Sequence, residues 1–240
     1  MKTWKPHIFS DFDGTITLSD VCIDIAEKFG QLEPFLSKLT SGELKLRDFW
    51  YKTLRTFQEG TTIDDLITFT KQNTNLDPYF YQFVLFCNEN FIPFEIISDG
   101  FDFYIQAVLE KYNLQNVRYY ANSIVKLGNY FYPIFTYAND SCWCENVGSC
   151  KRNIALSYIC DDEVLIYIGD GYSDFCIVEY SDIVFAKGIL SRYCNKNRIP
   201  HYNYKTFYDV QVILKKLLET QNFKPRQQAR LKRKKAFEVE

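Results

Sequence analysis

The chain has 240 residues, of which 47% are hydrophobic and 24% are charged, and its formal net charge is −2. This length and apolar content predict a full hydrophobic core with room for an insertion. The small net charge excludes a general attraction to nucleic acid or other polyanions. The sequence has neither the roughly 20 consecutive apolar residues of a membrane-spanning helix nor the basic and apolar series of a secretion signal, so we expect a cytoplasmic protein.

The first predicted strand, residues 7–11, runs into two acidic residues. Asp11 and Asp13 are separated by Phe12 and followed by Gly14-Thr15. Because side chains alternate along a strand, the two carboxylates are expected on one side of the strand end. One could attack a phosphorus atom while the other manages a proton. Taken alone, an Asp at a strand end is more often a helix cap or a turn residue.

Residues 18–85 show helical spacing of apolar side chains and no convincing strand, which predicts an all-α insertion. The core is then expected to consist of residues 1–17 and 86–222. The predicted helices of this region are one capped by Ser19 or Asp20 and ending at Phe29, one from Ser41 to about Phe57, one beginning at Thr62, and one from Asp77 to Asn88.

A buried strand over residues 91–98 is predicted to end on Ser98-Asp99-Gly100, with a helix over 101–112 after it. Strand-like runs at 117–121, 163–169 and 182–186 alternate with helical patterns. This alternation predicts an α/β fold with a parallel sheet covered by helices, whose active site lies at the carboxyl ends of the strands. Residues 123–135, with Gly128-Asn129 between apolar runs, predict a hairpin.

Two further candidate site segments lie in the second half of the chain. Lys151 opens a predicted helix, and the strand over 163–169 ends on the sequence Gly-Asp-Gly-Tyr-Ser-Asp, which contains Asp170 and Asp174. Alone, Lys151 would be an ordinary surface lysine, and Ser98 could simply cap the following helix. The order of these residues, each at a strand end or a helix start, favours a shared site.

The segments Asp11-Phe12-Asp13-Gly14-Thr15, Ser98, Lys151 and Gly169-Asp170-Gly171 with Asp174 resemble the four motifs of phosphatases in the haloacid dehalogenase (HAD) superfamily. The resemblance implies a HAD-like Rossmannoid core with an inserted helical C1 cap of subfamily IB. It implies a phosphoaspartyl intermediate on Asp11, with Asp13 as general acid and base. It also implies phosphate binding by Ser98, Asp99, Gly100 and Lys151. Mg²⁺ would lie on Asp11, the Asp13 carbonyl and Asp170, with Asp174 on the metal or its waters.

The chain resembles both methylthio-sugar phosphatases of methionine salvage (the MtnX type) and phosphoserine phosphatases, with some features of phosphocholine and phosphoethanolamine phosphatases (the PHOSPHO type). Phosphoserine phosphatases hold their substrate with a cap Glu and a cap Arg. Asp20 occupies the Glu position, but Tyr51 occupies the Arg position, and a phenol cannot replace a guanidinium fork. Arg47 or Arg55, on the same predicted helix, could reach the site instead.

The favoured substrate is therefore a small uncharged or zwitterionic phosphomonoester, with 2-hydroxy-3-keto-5-methylthiopentenyl-1-phosphate as the named candidate. Phosphoserine, phosphocholine, phosphoethanolamine and pyridoxal phosphate are alternatives. A phosphomutase would use the same two Asp residues, and a non-catalytic phosphate sensor is a third class. The expected partner is a small phosphorylated metabolite, and the chain is expected to be a monomer or a homodimer.

Cys142, Cys144 and Cys150 precede Lys151 and leave three interpretations open: a Zn²⁺ site, a redox-prone thiol cluster or a structural loop. Their spacing lacks the usual paired Cys-x-x-Cys. Residues 223–240 form a strongly basic C-terminal tail. We expect this tail to be solvated, with a nucleic-acid or partner contact as the alternative.

Overall fold

A computed structural model describes residues 4–139 and 146–239 of the chain. The strands of this part are β1 (Lys5–Ser10), β2 (Phe94–Phe101), β3 (Arg118–Leu127), β4 (Tyr130–Ile134), β5 (Glu163–Gly169), β6 (Ile183–Ala186) and β7 (Tyr202–Asn203). The helices are α1 (Val21–Phe29), α2 (Phe35–Thr40), α3 (Leu46–Leu54), α4 (Ile63–Asn73), α5 (Phe80–Glu89), α6 (Asp102–Lys111), α7 (Lys151–Tyr158), α8 (Phe175–Val178), α9 (Gly188–Lys196), α10 (Phe207–Glu219) and α11 (Gln227–Val239). Within the described ranges, no helix is both long enough and apolar enough to cross a membrane.

The described strands form one sheet in the order β4-β3-β2-β1-β5-β6-β7. Only the β3 and β4 pair is antiparallel, and the predicted turn at Gly128-Asn129 joins these two strands. The other neighbours pair in parallel. The α/β class and the hairpin are thus confirmed. The two-residue strand β7 is too short to leave a periodic signal in the sequence.

The central strands β1 and β5 are buried on both faces because helices cover both sides of the sheet. Ile8, Phe9, Ile166 and Tyr167 are all fully buried. Such strands contain continuous apolar runs, without the polar alternation of a half-exposed strand. The run of β1 ends with the polar Asp11, at the edge of the sheet where β5 also ends.

The segment between β1 and β2 begins with α1 to α4, which lie within residues 18–85, the range of the expected insertion. Thr62 caps α4 with a capping box, in which its hydroxyl accepts from the amide of Asp65 and the Asp65 carboxylate accepts from the amide of Thr62. Within the helix predicted from Ser41 to about Phe57, only Leu46–Leu54 is helical, as α3, and the predicted start at Ser41 is wrong. Ser41 ends α2, and Gly42 follows in the left-handed region at φ +77°, which interrupts the helix before α3 begins.

Helix α5 packs with the sheet and α10, although the predicted insertion extends to residue 85. The rings of Phe80 and Phe83 lie 4.9 Å from the ring of Phe207, and the ring of Phe83 lies 5.5 Å from that of Phe94. The predicted boundary at residue 85 falls inside this helix. Helical spacing alone could not tell which partner the helix packs against.

The hairpin β3-β4 holds the insertion against the sheet. The rings of Phe57 and Phe131 lie 5.6 Å apart, edge to face. Lys126 donates to the carbonyl oxygen of Thr61 at 2.6 Å, and Asn129 donates to the carboxylate of Glu59 at 2.8 Å. The insertion is thus attached to the core along the hairpin as well as through its two chain connections.

The expected solvated tail is wrong, because most of residues 223–240 form α11, which packs on the core. Ala229 is fully buried and Phe223 is 6% exposed. The guanidinium of Arg233 lies 2.9 Å from a carboxylate oxygen of Asp182 and also donates to the carbonyl oxygen of Tyr180. The basic residues of this segment therefore serve partly as anchors, which a charge count cannot distinguish from solvated lysines and arginines.

Replacing Arg233 with alanine (Arg233→Ala) is expected to lower the free energy of unfolding by about 2 kcal/mol, because the Asp182 carboxylate has 0% side-chain exposure and loses a charged donor. Thermal and urea unfolding would measure this. The matched control is Lys234→Ala on the same helix, whose side chain is 75% exposed and should contribute nothing measurable. Equal stability of the two variants would show that α11 is not anchored through Asp182.

Candidate active site

The candidate site lies where β1, β2 and β5 end side by side. Asp11 directly follows β1, Asp170 directly follows β5, and Ser98 to Gly100 are among the last residues of β2. Above these ends is a cavity of about 640 Å³ between the sheet and the insertion. Asp11, Asp13, Asp99 and Asp170 line it from the core, and Leu46 and Trp50 from α3. Because these parallel strands are neighbours and end at the same edge of the sheet, motifs that are far apart in the sequence form one cluster.

Lys151 bridges two carboxylates beneath the cavity. Its Nζ lies 2.6 Å from Oδ1 of Asp11 and 2.7 Å from Oδ1 of Asp174, and the side chain of Lys151 is completely buried. Burial alone would lower the pKa of Lys151, but the two carboxylates outweigh it and raise that pKa above its ordinary value. Lys151 is therefore a fixed cation, and helix α7, which begins at this residue, carries it into the site.

Asp174 is held by four donors. Its Oδ1 accepts from Lys151 and, at 2.5 Å, from the hydroxyl of Tyr167. Its Oδ2 accepts from the amides of Asp170 and Gly171, both at 2.9 Å. This carboxylate thus fixes the turn after β5 and orients Lys151. With its oxygens so occupied, it is better placed to hold a water of a metal than to bind the ion itself.

Asp11, Asp170 and Asp174 each offer a carboxylate oxygen within 4.8 Å of the others. Burial is the main cause that raises the pKa of Asp11, and burial with the neighbouring Asp174 raises that of Asp170 to about 6. Three carboxylates lie near two lysines, Lys151 and Lys187, so the cluster keeps an excess of negative charge. Hard oxygen ligands with excess negative charge fit a divalent cation such as Mg²⁺, which would lower these pKa values again.

Asp13 lies in the cavity wall with both oxygens bonded. Oδ1 accepts from the amide of Val21 at 3.0 Å, and Oδ2 accepts from the hydroxyl of Tyr104 at 2.5 Å. Burial and the nearby Asp20 raise the pKa of Asp13 to about 8, against the lowering effect of the two donors. At neutral pH this carboxyl group can therefore hold a proton and give it up, as a general acid requires.

The predicted phosphate-binding segment is arranged differently from the expectation. The amide of Gly100, expected to be free for a phosphoryl oxygen, donates to Oγ of Ser98 at 3.0 Å, and Ser98 is fully buried. Helix α6 begins only at Asp102, because β2 continues to Phe101. The segment therefore belongs to a strand end whose donors are partly satisfied internally.

Asp99 is the acidic member of this segment that lines the cavity, and one of its two carboxylate oxygens lacks a partner among the described residues. Its Oδ1 accepts from the amide of Ser149 at 2.5 Å, whereas Oδ2 is buried and has no hydrogen-bond partner among the described residues. Burial raises the pKa of Asp99 to about 6. An unpaired buried carboxylate oxygen is unfavourable, so a bound molecule with a donor group would be stabilised here.

Of the predicted substrate-binding residues of the insertion, only Asp20 lines the cavity, where it also caps α1 by accepting from the amide of Ile23. Arg47 donates to the carbonyl oxygens of Asn139 and Val147 and thereby ties α3 to the loop before α7. Arg55 is exposed and lies over the ring of Tyr130. The expectation that Arg47 or Arg55 reaches the substrate is therefore not supported, because both side chains are directed at the core's hairpin and loop.

Two members of the predicted cysteine site, Cys142 and Cys144, lie outside the described residues. Cys150 is buried and directly precedes α7. The zinc interpretation consequently rests on the sequence alone.

Sequence reasoning missed Tyr104 and Tyr167, whose hydroxyls bond the site carboxylates, as well as Trp50 in the cavity wall. Each of these residues sits in an apolar pattern, where an aromatic side chain is expected to fill the core. The structure shows why residue 100 is a glycine, since a Cβ there would lie 1.5 Å from the Tyr104 hydroxyl oxygen. The glycine leaves the room that this phenol needs.

Comparison with known proteins identifies the protein family. Residues 7–188 match the model of the family described as "Putative Phosphatase". A curated 2-hydroxy-3-keto-5-methylthiopentenyl-1-phosphate phosphatase of Bacillus mycoides is 32% identical over 215 residues, which cover 89% of this chain and 97% of the relative. A phosphatase of the same name from Bacillus cereus (strain AH187) is 31% identical over the same shares of the two chains.

Solved structures agree on the fold. Phosphoserine phosphatase from T. onnurineus has a TM-score of 0.63 at 19% identity, covering 93% of this chain and 98% of that one. A phosphoserine phosphatase solved as a phospho-aspartyl intermediate analogue has a TM-score of 0.59 at 16% identity, covering 88% and 98%. The chain belongs to the phosphatase family whose model it matches and is therefore a hydrolase, and it has the fold of the phosphoserine phosphatases.

Proposed function

We propose that the protein is a Mg²⁺-dependent phosphomonoester hydrolase that works through a phosphoaspartyl intermediate on Asp11. The observation that carries the proposal is the position of Asp11 at the floor of the cavity, 2.6 Å from the buried ammonium of Lys151, with Asp13 two residues further on. A nucleophile and a proton-transfer group thus share one strand end, and helix α7 brings a fixed cation to it. In this proposal the insertion covers the site and excludes bulk water.

Asp11 and Asp170 would hold the Mg²⁺ ion, with the Asp13 carbonyl oxygen as a further ligand and Asp174 on its waters. When bound, the ion would neutralise charge on the phosphoryl oxygens. Lys151 offsets the repulsion between the anionic nucleophile and an anionic substrate, because it stays charged beside Asp11. These residues supply positioning and electrostatic stabilisation, which dominate phosphoryl transfer.

In the first step a carboxylate oxygen of Asp11 forms a bond to phosphorus while the bond from phosphorus to the ester oxygen breaks. Asp13 gives its proton to that oxygen, so the alcohol leaves neutral. In the second step Asp13 takes a proton from water as the water oxygen bonds to phosphorus and the bond to Asp11 breaks. The products are the alcohol and inorganic phosphate, and both carboxyl groups return to their starting states.

The cavity supports a substrate with an uncharged, partly apolar tail. Leu39, Leu46 and Trp50 from the insertion and Ile189 from α9 give the cavity an apolar part of its wall. None of its described lining residues is an arginine or a lysine, so a substrate carboxylate such as that of phosphoserine lacks a fork to bind it. The thioether tail of 2-hydroxy-3-keto-5-methylthiopentenyl-1-phosphate fits this wall, and the curated relatives carry the name of that substrate. We therefore propose that the enzyme acts in methionine salvage, and we propose the cytoplasm as its location.

A second candidate substrate class is a zwitterionic ester such as phosphocholine or phosphoethanolamine. The observation that favours it is the unpaired buried oxygen of Asp99, on the same cavity as the carboxylate of Asp20. Two acidic groups beside the phosphate site would attract an ammonium group. They would equally accept hydroxyl donors of the methylthiopentenyl ester, so the two candidates compete for the same contact.

The test is release of inorganic phosphate with Mg²⁺ from the methylthiopentenyl ester, phosphocholine, phosphoethanolamine, phosphoserine and pyridoxal phosphate, measured as kcat/KM. We expect the methylthiopentenyl ester to be turned over best. Phosphoserine as the best substrate by a wide margin would contradict the substrate proposal. No release from any ester, with Mg²⁺ bound, would contradict the hydrolase itself and favour a phosphomutase or a phosphate sensor.

The Asp99→Asn variant separates the two substrate classes. If an ammonium group binds at Asp99, the variant should raise KM for phosphoethanolamine far more than for the methylthiopentenyl ester, because only the charged group loses an ion pair. Equal effects on the two esters would show that Asp99 meets a neutral donor. Asp64→Asn, an exposed change on α4, is the control and should alter neither value.

A further inference from the structure

Two buried tyrosines donate hydrogen bonds to the site carboxylates from opposite sides, and the mechanism above uses neither. Tyr104, on α6, donates to Asp13, and Tyr167, on β5, donates to Asp174, each at 2.5 Å. Both side chains are fully buried. Each of these hydrogen bonds is short for a hydroxyl donor and a carboxyl oxygen acceptor. The two phenols therefore differ mainly in which carboxylate they hold.

We propose that the hydroxyl of Tyr104 is a positioning residue for proton transfer, which fixes the carboxyl group of Asp13 toward the ester oxygen that leaves. This inference rests on the proposed role of Asp13 as general acid and base. Tyr104 is not among the residues that line the cavity, so its hydroxyl would act through Asp13. Its counterpart Tyr167 fixes Asp174 and so acts on the charge cluster.

The local packing shows that the Tyr104 contact is built into the site. The phenol passes directly beside Gly100, where a Cβ would lie 1.5 Å from the hydroxyl oxygen and 2.9 Å from Oδ2 of Asp13. The Tyr104 ring lies 6.0 Å from the ring of Phe12, which is the residue between Asp11 and Asp13 in the sequence. Residues of strand β2, helix α6 and the first motif thus pack around the hydrogen bond from Tyr104 to Asp13.

The Tyr104 bond also determines which way Asp13 faces. The amide of Val21 occupies Oδ1 from the insertion, and Tyr104 occupies Oδ2 from the core. Two donors from two elements fix the plane of the carboxyl group, whereas one donor would leave it free to rotate about the bond to its Cβ. General acid catalysis depends on this orientation, since the proton must be delivered within hydrogen-bond reach of the leaving oxygen.

The experiment compares two leaving groups of similar size on Tyr104→Phe, which keeps the ring and removes only the hydroxyl. Benzyl phosphate expels an alkoxide that needs a proton, whereas p-nitrophenyl phosphate expels a stabilised anion that does not. The readout is kcat/KM, which reports the steps up to alcohol release. We expect roughly a 10- to 100-fold loss for benzyl phosphate and less than about a 3-fold loss for p-nitrophenyl phosphate.

The matched control is Tyr167→Phe, which removes the same kind of bond from Asp174 and should lower kcat/KM for both esters alike. Equal losses for both esters with Tyr104→Phe, or no loss at all, would overturn the proposal. Thermal unfolding of each variant shows whether the change is confined to catalysis. A Tyr104→Phe protein that unfolds early and loses both activities equally would count against the positioning role.

The Asp13→Asn variant separates this inference from the function beneath it. If Asp13 is the general acid, Asp13→Asn lowers kcat/KM for benzyl phosphate far more than for p-nitrophenyl phosphate. Equal losses would contradict the role of Asp13 itself. If Asp13→Asn lowers kcat/KM selectively for benzyl phosphate, adding Tyr104→Phe should not increase that selectivity. The phenol then has no general acid to position. A further selective loss in the double variant would show that Tyr104 acts by another route.

Discussion

Replacing Asp11 with asparagine (Asp11→Asn) is expected to reduce phosphate release by on the order of 10⁴-fold or more, because an amide oxygen is too weak a nucleophile to form the acyl phosphate. The same variant is expected to unfold at a higher temperature than the parent protein when Mg²⁺ is absent. Burial raises the pKa of Asp11, which means that its ionised form is less favourable in the folded than in the unfolded chain. Removing that charge therefore stabilises the fold.

Phosphate release and differential scanning calorimetry with and without Mg²⁺ would test both parts. Mg²⁺ should raise the melting temperature of the parent protein more than that of Asp11→Asn, since the variant lacks one of the expected ligands. Asp64→Asn, an exposed change, should match the parent protein in each measurement. Substantial residual turnover by Asp11→Asn would contradict the covalent scheme, and a lower melting temperature without Mg²⁺ would contradict the charge argument.

Replacing Lys151 with methionine (Lys151→Met) is expected to have the opposite effect on stability. The change leaves Asp11 and Asp174 buried side by side without their cation, and breaking a buried pair in this way typically costs about 3–5 kcal/mol. Turnover should fall as well, by on the order of 10²- to 10³-fold, because a fixed charge beside the phosphoryl group is lost. Urea unfolding and phosphate release measure the two effects.

The control for this prediction is Lys187→Met. Lys187 is half-buried near the same site, with its Nζ 5.1 Å from the centre of the Tyr204 ring, and its loss should cost about 1 kcal/mol or less. Adding Asp174→Asn to Lys151→Met should restore part of the lost stability, because it removes one of the two unpaired charges. If the double variant is no more stable than Lys151→Met, the loss comes from packing and not from charge.

The positions of Asp11, Asp170 and Lys151 could be predicted because each follows a strand end or opens a helix with a clear apolar pattern. Parallel strands of one sheet end at the same edge, so residues at those ends meet in space whatever their distance along the chain. Asp13 followed from its spacing to Asp11. The sequence also supported the α/β class and the hairpin, since both depend on local periodicity and a turn.

The contacts that complete the site could not be predicted, because they depend on tertiary packing. Tyr104 and Tyr167 are indistinguishable from core aromatics until the distances to Asp13 and Asp174 are known. Arg47 and Arg55 lie on the expected helix, but their direction depends on how α3 packs against the hairpin and the loop before α7. For the same reason, the anchoring of α11 through Arg233 is hidden in a run of basic residues.

The amide of Val21 has a consequence for how the two parts of the molecule work together. Val21 is the first residue of α1, so the donor that holds Oδ1 of Asp13 belongs to the insertion, while Tyr104 belongs to the core. A displacement of α1 from the core would remove one of these two donors and leave Asp13 held by Tyr104 alone. The orientation of the proton-transfer group would therefore depend on the position of the insertion as well as on the core.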